Sequence, residues 1–209
     1  MAGWAPDYAS PSELAALVRV GDTLDDAQLA LALSTASRAV DLAAGRQFGI
    51  LSAVEARTYT ARWDRSLYRW VIEVDDLMTT VGLIVKVDSL TADGSYPSTI
   101  DNAYVQTRPT NAVVKGRPWT SLALRPMTPS WVTGEEAGFQ VTAKWGWTAV
   151  PTAIKQATLL QASRLLARRD SPFGIAGSPD AGSELRLLAR VDPDVAVAVA
   201  PFRRWWGAR

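Results

Sequence analysis

The acid pairs Asp75-Asp76 and Glu135-Glu136 are the residues of this chain best suited by type to hold a metal ion or share general acid and base work. Either task needs carboxylates that converge on one point. Neighbours on a strand point to opposite faces. Asp75-Asp76 follows a strand pattern and Glu135-Glu136 sits in a glycine-flanked turn, so both pairs read as solvated loop charge. A third pair, Asp25-Asp26, falls in the first turn of a helix, where it complements the helix dipole. The sequence has no histidine and no cysteine. The commonest general base and metal ligand near neutral pH is therefore missing, as is every thiolate site and disulfide. Glycine loops for cradling phosphate are absent too. No enzyme, metal or cofactor is expected.

Binding chemistry is better represented. Nine tryptophans occur in 209 residues. Trp63, Trp70, Trp119, Trp131, Trp145 and Trp147 belong to a β-patterned region, where aromatic faces could stack on sugars or pack a core. The C-terminal Phe202, Arg203, Arg204, Trp205, Trp206 and Arg209 combine the residue types most often found at binding hot spots. Two adjacent tryptophans left in water would expose a sizeable apolar patch, so this tail is expected either to fold back or to insert into a partner. Arg164, Arg168 and Arg169 form the basic end of a helix, which suits the dipole there.

Three kinds of element must position these residues. Ser10-Pro11-Ser12-Glu13 has the form of a capping box with proline at the first helical position, and the helix it opens is expected to run to about Val20. A second helix begins at Thr23. Leu29, Leu33, Ala36, Val40 and Ala43 fall along one of its faces, a stripe able to pack the subunit's own core or meet another copy. From about 54 to 147 the period changes to two. Val71–Val74, Leu83–Val87 and Phe139–Trp145 read as strands of an antiparallel sandwich or barrel with five to seven strands, and the polar run from Asp93 to Asn102 reads as a loop or hairpin tip. Pro151 marks the first turn of a helix to Arg169. Residues 171–183 have loop composition, 184–191 contain a possible short strand, and Asp192-Pro193 opens a last short helix.

Hydrophobic residues make up 48% and charged residues 21%, the balance of an ordinary globular chain. The net charge of +1 is too balanced to argue by itself for nucleic acid, yet charge is unevenly spread: residues 1–53 carry three basic and six acidic side chains, residues 150–209 nine basic and five acidic. Such asymmetry suits head-to-tail association of identical copies or docking on a charged partner. The N-terminus lacks the basic and apolar regions of a signal peptide, and no apolar run approaches membrane-spanning length, so a cytoplasmic site of synthesis and assembly is expected.

The order of features from Trp145 to Trp206 is similar to that of the head-to-tail adaptor (head completion or connector) proteins of tailed bacteriophages. The residues that carry the likeness are Gly146-Trp147, Val150-Pro151, Ile154-Lys155-Gln156-Ala157, the leucines to Leu166, Arg168 through Gly174, Asp192 through Val195, and Pro201 through Arg204. The resemblance implies an α+β fold: N-terminal helices (1–53) and C-terminal helices with a tail (149–209) form one helical module, and a central antiparallel β insertion (54–148) lies between. It implies a homo-oligomeric ring, commonly of twelve copies, in the virion neck between the portal protein and the stopper or tail, assembled in the cytoplasm of a bacterial host. Double-stranded DNA would pass through without sequence-specific contact, and no membrane would be involved. Within that frame Phe202, Arg203, Arg204, Trp205 and Trp206 are assigned to the portal, and Leu29, Leu33, Ala36, Val40, Arg164 and Arg168 to contacts between copies. The reading of another class is a carbohydrate- or receptor-binding β module.

Overall fold

The computed structural model describes residues 5–18, 26–88, 94–125, 135–170, 175–176, 185–186 and 193–204. The fold is α+β, with four helices and two four-stranded antiparallel sheets among the described residues. The chain divides into two compact units, one of Gly49–Ala149 and one of Trp4–Phe48 with Val150–Arg209.

In the helical unit, α1 spans Pro11–Val18. Its start is a reciprocal cap: the Ser10 hydroxyl accepts from the Glu13 amide at 3.3 Å, and the Glu13 carboxylate accepts from the Ser10 amide at 2.9 Å. Glu13 also pairs with Lys155 of α3 (Thr152–Asp170). The Lys155 ammonium, followed by the Ser10 amide, holds the Glu13 carboxyl below its ordinary range. Helix α2 spans Asp26–Ala44. It ends where Gly45 takes a left-handed φ of 64°, which costs a residue without Cβ little. Thr23 and Asp25 lie outside the described residues. Pro151 precedes α3 instead of forming its first turn, and its carbonyl accepts from the Lys155 amide at 3.0 Å.

The core of this unit gathers Ala9, Leu14, Leu29, Ala32, Leu33, Ala36 and Ala162, with Leu159, Leu165 and Leu166 packed against it. The stripe of α2 is thereby used up. Leu29, Leu33, Ala36 and Val40 are each no more than 1% exposed within a single chain, so their side chains have no surface left for another copy. Helix packing inside the subunit took them because the same face of α2 meets α1 and α3. In the segment between α3 and the last helix, Ile175–Ala176 (β9) pairs antiparallel with Leu185–Arg186 (β10). Helix α4 spans Pro193–Val199 and buries Val195 and Val199. A 3-10 turn, Ala200–Phe202, follows it.

In the β unit, one sheet has the order β1 (Glu55–Tyr59), β8 (Phe139–Ala143), β4 (Ile84–Val87), β5 (Ser98–Ile100). The other has the order β2 (Ala61–Asp64), β3 (Arg69–Leu77), β7 (Trp119–Leu124), β6 (Val105–Arg108). These eight strands exceed the expected five to seven. Ser98–Ile100, within the run expected to be a loop or hairpin tip, pairs antiparallel with Val85–Val87; a three-residue strand is too short for alternation to reveal. Alternate residues of both sheets, among them Ile72, Val74, Leu122, Val85, Phe139 and Val141, are buried, as strands with one face on a core require.

Candidate interaction site

The acid pairs do not make a chemical site. Asp75 and Asp76 lie inside β3, not after it, and neither is solvated loop charge. Asp75 accepts from Arg57 at 2.6 Å and from the Tyr59 hydroxyl at 2.9 Å, tying one sheet to the other. Asp76, only 5% exposed, accepts from the Trp147 indole at 2.8 Å. Successive strand residues point opposite ways, so each carboxylate meets its own donors. Burial, reinforced by the Asp75 charge, pushes the Tyr59 hydroxyl above its ordinary range. Glu135 and Glu136 are exposed. No group of three or more acidic, histidine or cysteine side chains converges among the described residues.

Tryptophan placement separates packing from contact. Trp145 and Trp147 are 0% and 2% exposed. The Trp145 indole donates to the Glu55 carbonyl at 2.8 Å, and the Arg57 guanidinium lies 5.3 Å from its ring centre. Between these two tryptophans Gly146 has a φ of 114° and sits so close to the chain at Gly49 that an added Cβ would lie 2.0 Å from the Gly49 carbonyl oxygen. Trp119 and Trp70 are half-buried, and Trp131 lies outside the described residues. Trp63 alone among the described tryptophans is exposed, at 48%, edge-on to Trp70 at 5.6 Å.

Trp63 stands on the β2–β3 hairpin. The turn between the strands is held by Asp64, whose carboxylate accepts from the Ser66 hydroxyl at 2.6 Å, the Ser66 amide at 2.8 Å and the Leu67 amide at 3.1 Å. Those donors, the Ser66 hydroxyl first, hold the Asp64 carboxyl below its ordinary range. Tyr68 follows with φ 51° and is 74% exposed. A bulky residue in the left-handed region is a strained choice where glycine or asparagine would be relaxed. A groove of about 420 Å3 runs beside it, lined by Arg62, Trp63, Arg65, Ser66, Val71 and Glu73. Neither Tyr68 nor the groove is legible in the sequence, because exposure and φ are not written in residue type.

In the helical unit the C-terminal segment returns to its own subunit as far as it is described. The Phe202 ring meets Phe48 edge-on at 5.9 Å. The Arg204 amide donates to the Ala44 carbonyl at 2.8 Å, and the Arg203 side chain donates to the Ala43 carbonyl at 3.1 Å. These are carbonyls of the last turn of α2, which lack partners within the helix, and the cation complements the dipole there. Tyr8 also meets Phe48 edge-on, at 5.7 Å; its hydroxyl accepts from the Phe48 amide at 2.9 Å and donates to Asp41. Burial, then the Asp41 acceptor, pushes the Tyr8 hydroxyl above its ordinary range. Trp205 and Trp206 lie outside the described residues. Arg164 and Arg168 are half-buried, and both make contacts in the subunit. Opposite the buried stripe, Leu31 and Leu42 of α2 are 69% and 86% exposed.

Both units together have a known counterpart. The fold resembles that of a chain from the neck of an empty GTA (gene transfer agent) particle, a structure computed with C6 symmetry. The likeness covers 98% of this chain and 95% of that one, with a TM-score of 0.51 and 19% sequence identity. The sequence matches no family model, and no curated protein matches it. No described helix is long and apolar enough to cross a membrane.

Proposed function

We propose that this chain is a structural protein of the neck of a phage-like particle, a head-to-tail adaptor whose copies form a ring between the portal and the stopper or tail. The observation that carries the reading is the fold likeness, because it runs through nearly the whole length of both chains and includes the helical ends as well as the β unit. The adaptor-like residues from Gly146-Trp147 to Arg203-Arg204 point the same way independently. The work is binding, not chemistry. Twelve copies extend the channel for double-stranded DNA, whose phosphates meet the wall without base-specific contacts, and assembly takes place in the cytoplasm of a bacterial host.

The tail is assigned to the portal, with its labour divided. Phe202, Arg203 and Arg204 root the segment on α2, so the portal contact falls chiefly to Trp205 and Trp206. Truncation after Arg204 tests this, since it leaves the root in place. The full chain, mixed with portal-bearing heads, is expected to add a ring at the portal vertex in electron micrographs, and the truncated chain to stay folded but unbound. Unimpaired binding of the truncated chain would remove the tail from the portal contact. A full chain that ignores the heads would overturn the adaptor reading. The sugar-binding reading keeps one foothold, the exposed face of Trp63 in its groove; quenching of tryptophan fluorescence by a glycan would favour it.

A further inference from the structure

Segments from the two ends of the chain meet at one residue. Phe48, fully buried just beyond α2, lies edge-on to Tyr8 at 5.7 Å and to Phe202 at 5.9 Å. We propose that residues 5–9 are a strap that fixes the root of the C-terminal tail through Phe48, so that both ends of the chain set the surface offered to the portal. The identity of that partner rests on the adaptor reading above. The coupling between strap and root does not.

Three observations carry it. First, directional bonds tie the strap to the second half of α2. The Arg38 guanidinium donates to the Ala5 carbonyl at 2.7 Å and to the Pro6 carbonyl at 2.8 Å. It also pairs with Asp41 at 3.1 Å and lies 5.7 Å from the centre of the Tyr8 ring. The Tyr8 amide donates at 3.2 Å to the buried Ser37 hydroxyl, which in turn donates to the Leu33 carbonyl at 2.8 Å. Second, the strap holds the main chain of Phe48 as well as its ring. The Tyr8 hydroxyl accepts from the Phe48 amide at 2.9 Å while it donates to Asp41, and a buried polar network satisfied in this way specifies one arrangement. Third, the root of the tail is built on the same short stretch. Phe202 meets the Phe48 ring, the Arg203 side chain takes the Ala43 carbonyl at 3.1 Å, and the Arg204 amide takes the Ala44 carbonyl at 2.8 Å. Phe202 is half-buried and Arg203 is exposed, so a root this slight opens locally at less than the cost of global unfolding. Residues 205–209 continue from it in the sequence, and each opening moves their point of departure. Two segments that order the same residue are coupled, and the coupling is reciprocal.

Residue-resolved amide hydrogen exchange on the full-length chain tests the coupling. The Arg204 amide reports opening of the root, and the amide of Leu33, in the middle of α2 and fully buried, reports the helical unit as a whole. Tyr8→Phe keeps the ring and removes the hydroxyl. It is expected to speed exchange at Arg204 at least about tenfold more than at Leu33. Reciprocally, Phe202→Ala is expected to speed exchange at the Tyr8 amide beyond any change at Leu33. Arg38→Gln cuts the ties at Ala5 and Pro6 and leaves Phe48 and its two rings in place; it is expected to give the Arg204 pattern too, and it serves if Tyr8→Phe does not fold. Equal acceleration at Arg204 and Leu33 would make the strap an ordinary part of the core and overturn the proposal. Portal-bearing heads test the partner separately. Where native chain joins them, Arg38→Gln is expected to need at least about tenfold more protein to do so. Undiminished joining by a variant whose root opens would overturn the strap's part in the portal surface. Native chain that ignores the heads removes the adaptor reading and leaves the coupling at Arg204 standing.

Discussion

At the scale of single residues, the clearest demand is the one at Gly146. Its φ of 114° and the approach of the Gly49 carbonyl leave no room for a Cβ. The tryptophans on either side are fully buried and bonded, Trp145 to the Glu55 carbonyl and Trp147 to Asp76, so the backbone cannot slide to relieve a clash. Gly146→Ala is expected to cost about 3 kcal/mol or more, from forbidden backbone conformation and overpacking together, measured as a lowered denaturant midpoint. A cost under about 1 kcal/mol would show that the segment yields. The Trp-Gly-Trp spelling was visible in the sequence as aromatic content. That both rings are core and the glycine obligatory follows only from the chain passing beside Gly49.

At the scale of elements, α2 shows how one helix is finished by segments remote in sequence. Its last carbonyls, at Ala43 and Ala44, are taken by Arg203 and Arg204, and Phe48 just beyond it is gripped by Tyr8 and Phe202. The capping box at Ser10 was legible because it is a local signal within a few residues. The closure by residues about 160 positions further on was not, because no propensity links them. Phe202→Ala is expected to lower stability by about 1–2 kcal/mol, the loss of a half-buried aromatic contact. Truncation after Pro201 should cost more than truncation after Arg204, compared by thermal unfolding. Equal stability of the two truncations would mean that the α2 end does not depend on this closure.

At the scale of the whole molecule, the missing histidines shape the response to pH. No side chain with an ordinary pKa titrates between about pH 6 and 8, so a stability plateau is expected there. The alkaline limit comes from Tyr8 and Tyr59, whose hydroxyls are raised above their usual value near 10 by burial and by carboxylate acceptors. A raised pKa in the folded state contributes stability that is whole below the unfolded pKa and is lost as pH rises past it. Denaturant midpoints are therefore expected to be flat from about pH 6 to 9 and to fall above about pH 10, more steeply than in Tyr8→Phe, which has one tyrosine fewer to ionise. A slope near pH 7 would contradict this account.

Residue order alone determined the class of this protein: helices at both ends, period-two segments between them, no histidine or cysteine for chemistry, and an adaptor-like run from Gly146 to Arg204. Those features are local or compositional, and short-range physics writes them directly. Tertiary structure decided what each pattern was for. The stripe Leu29–Leu33–Ala36–Val40 became core and Leu31 with Leu42 became surface because α1 and α3 cover one side of α2. Asp75 and Asp76 became clamps because Arg57, Tyr59 and Trp147 arrive from other parts of the β unit. Burial is a property of the neighbours a residue acquires, and a helical or strand period marks a face without saying what will cover it.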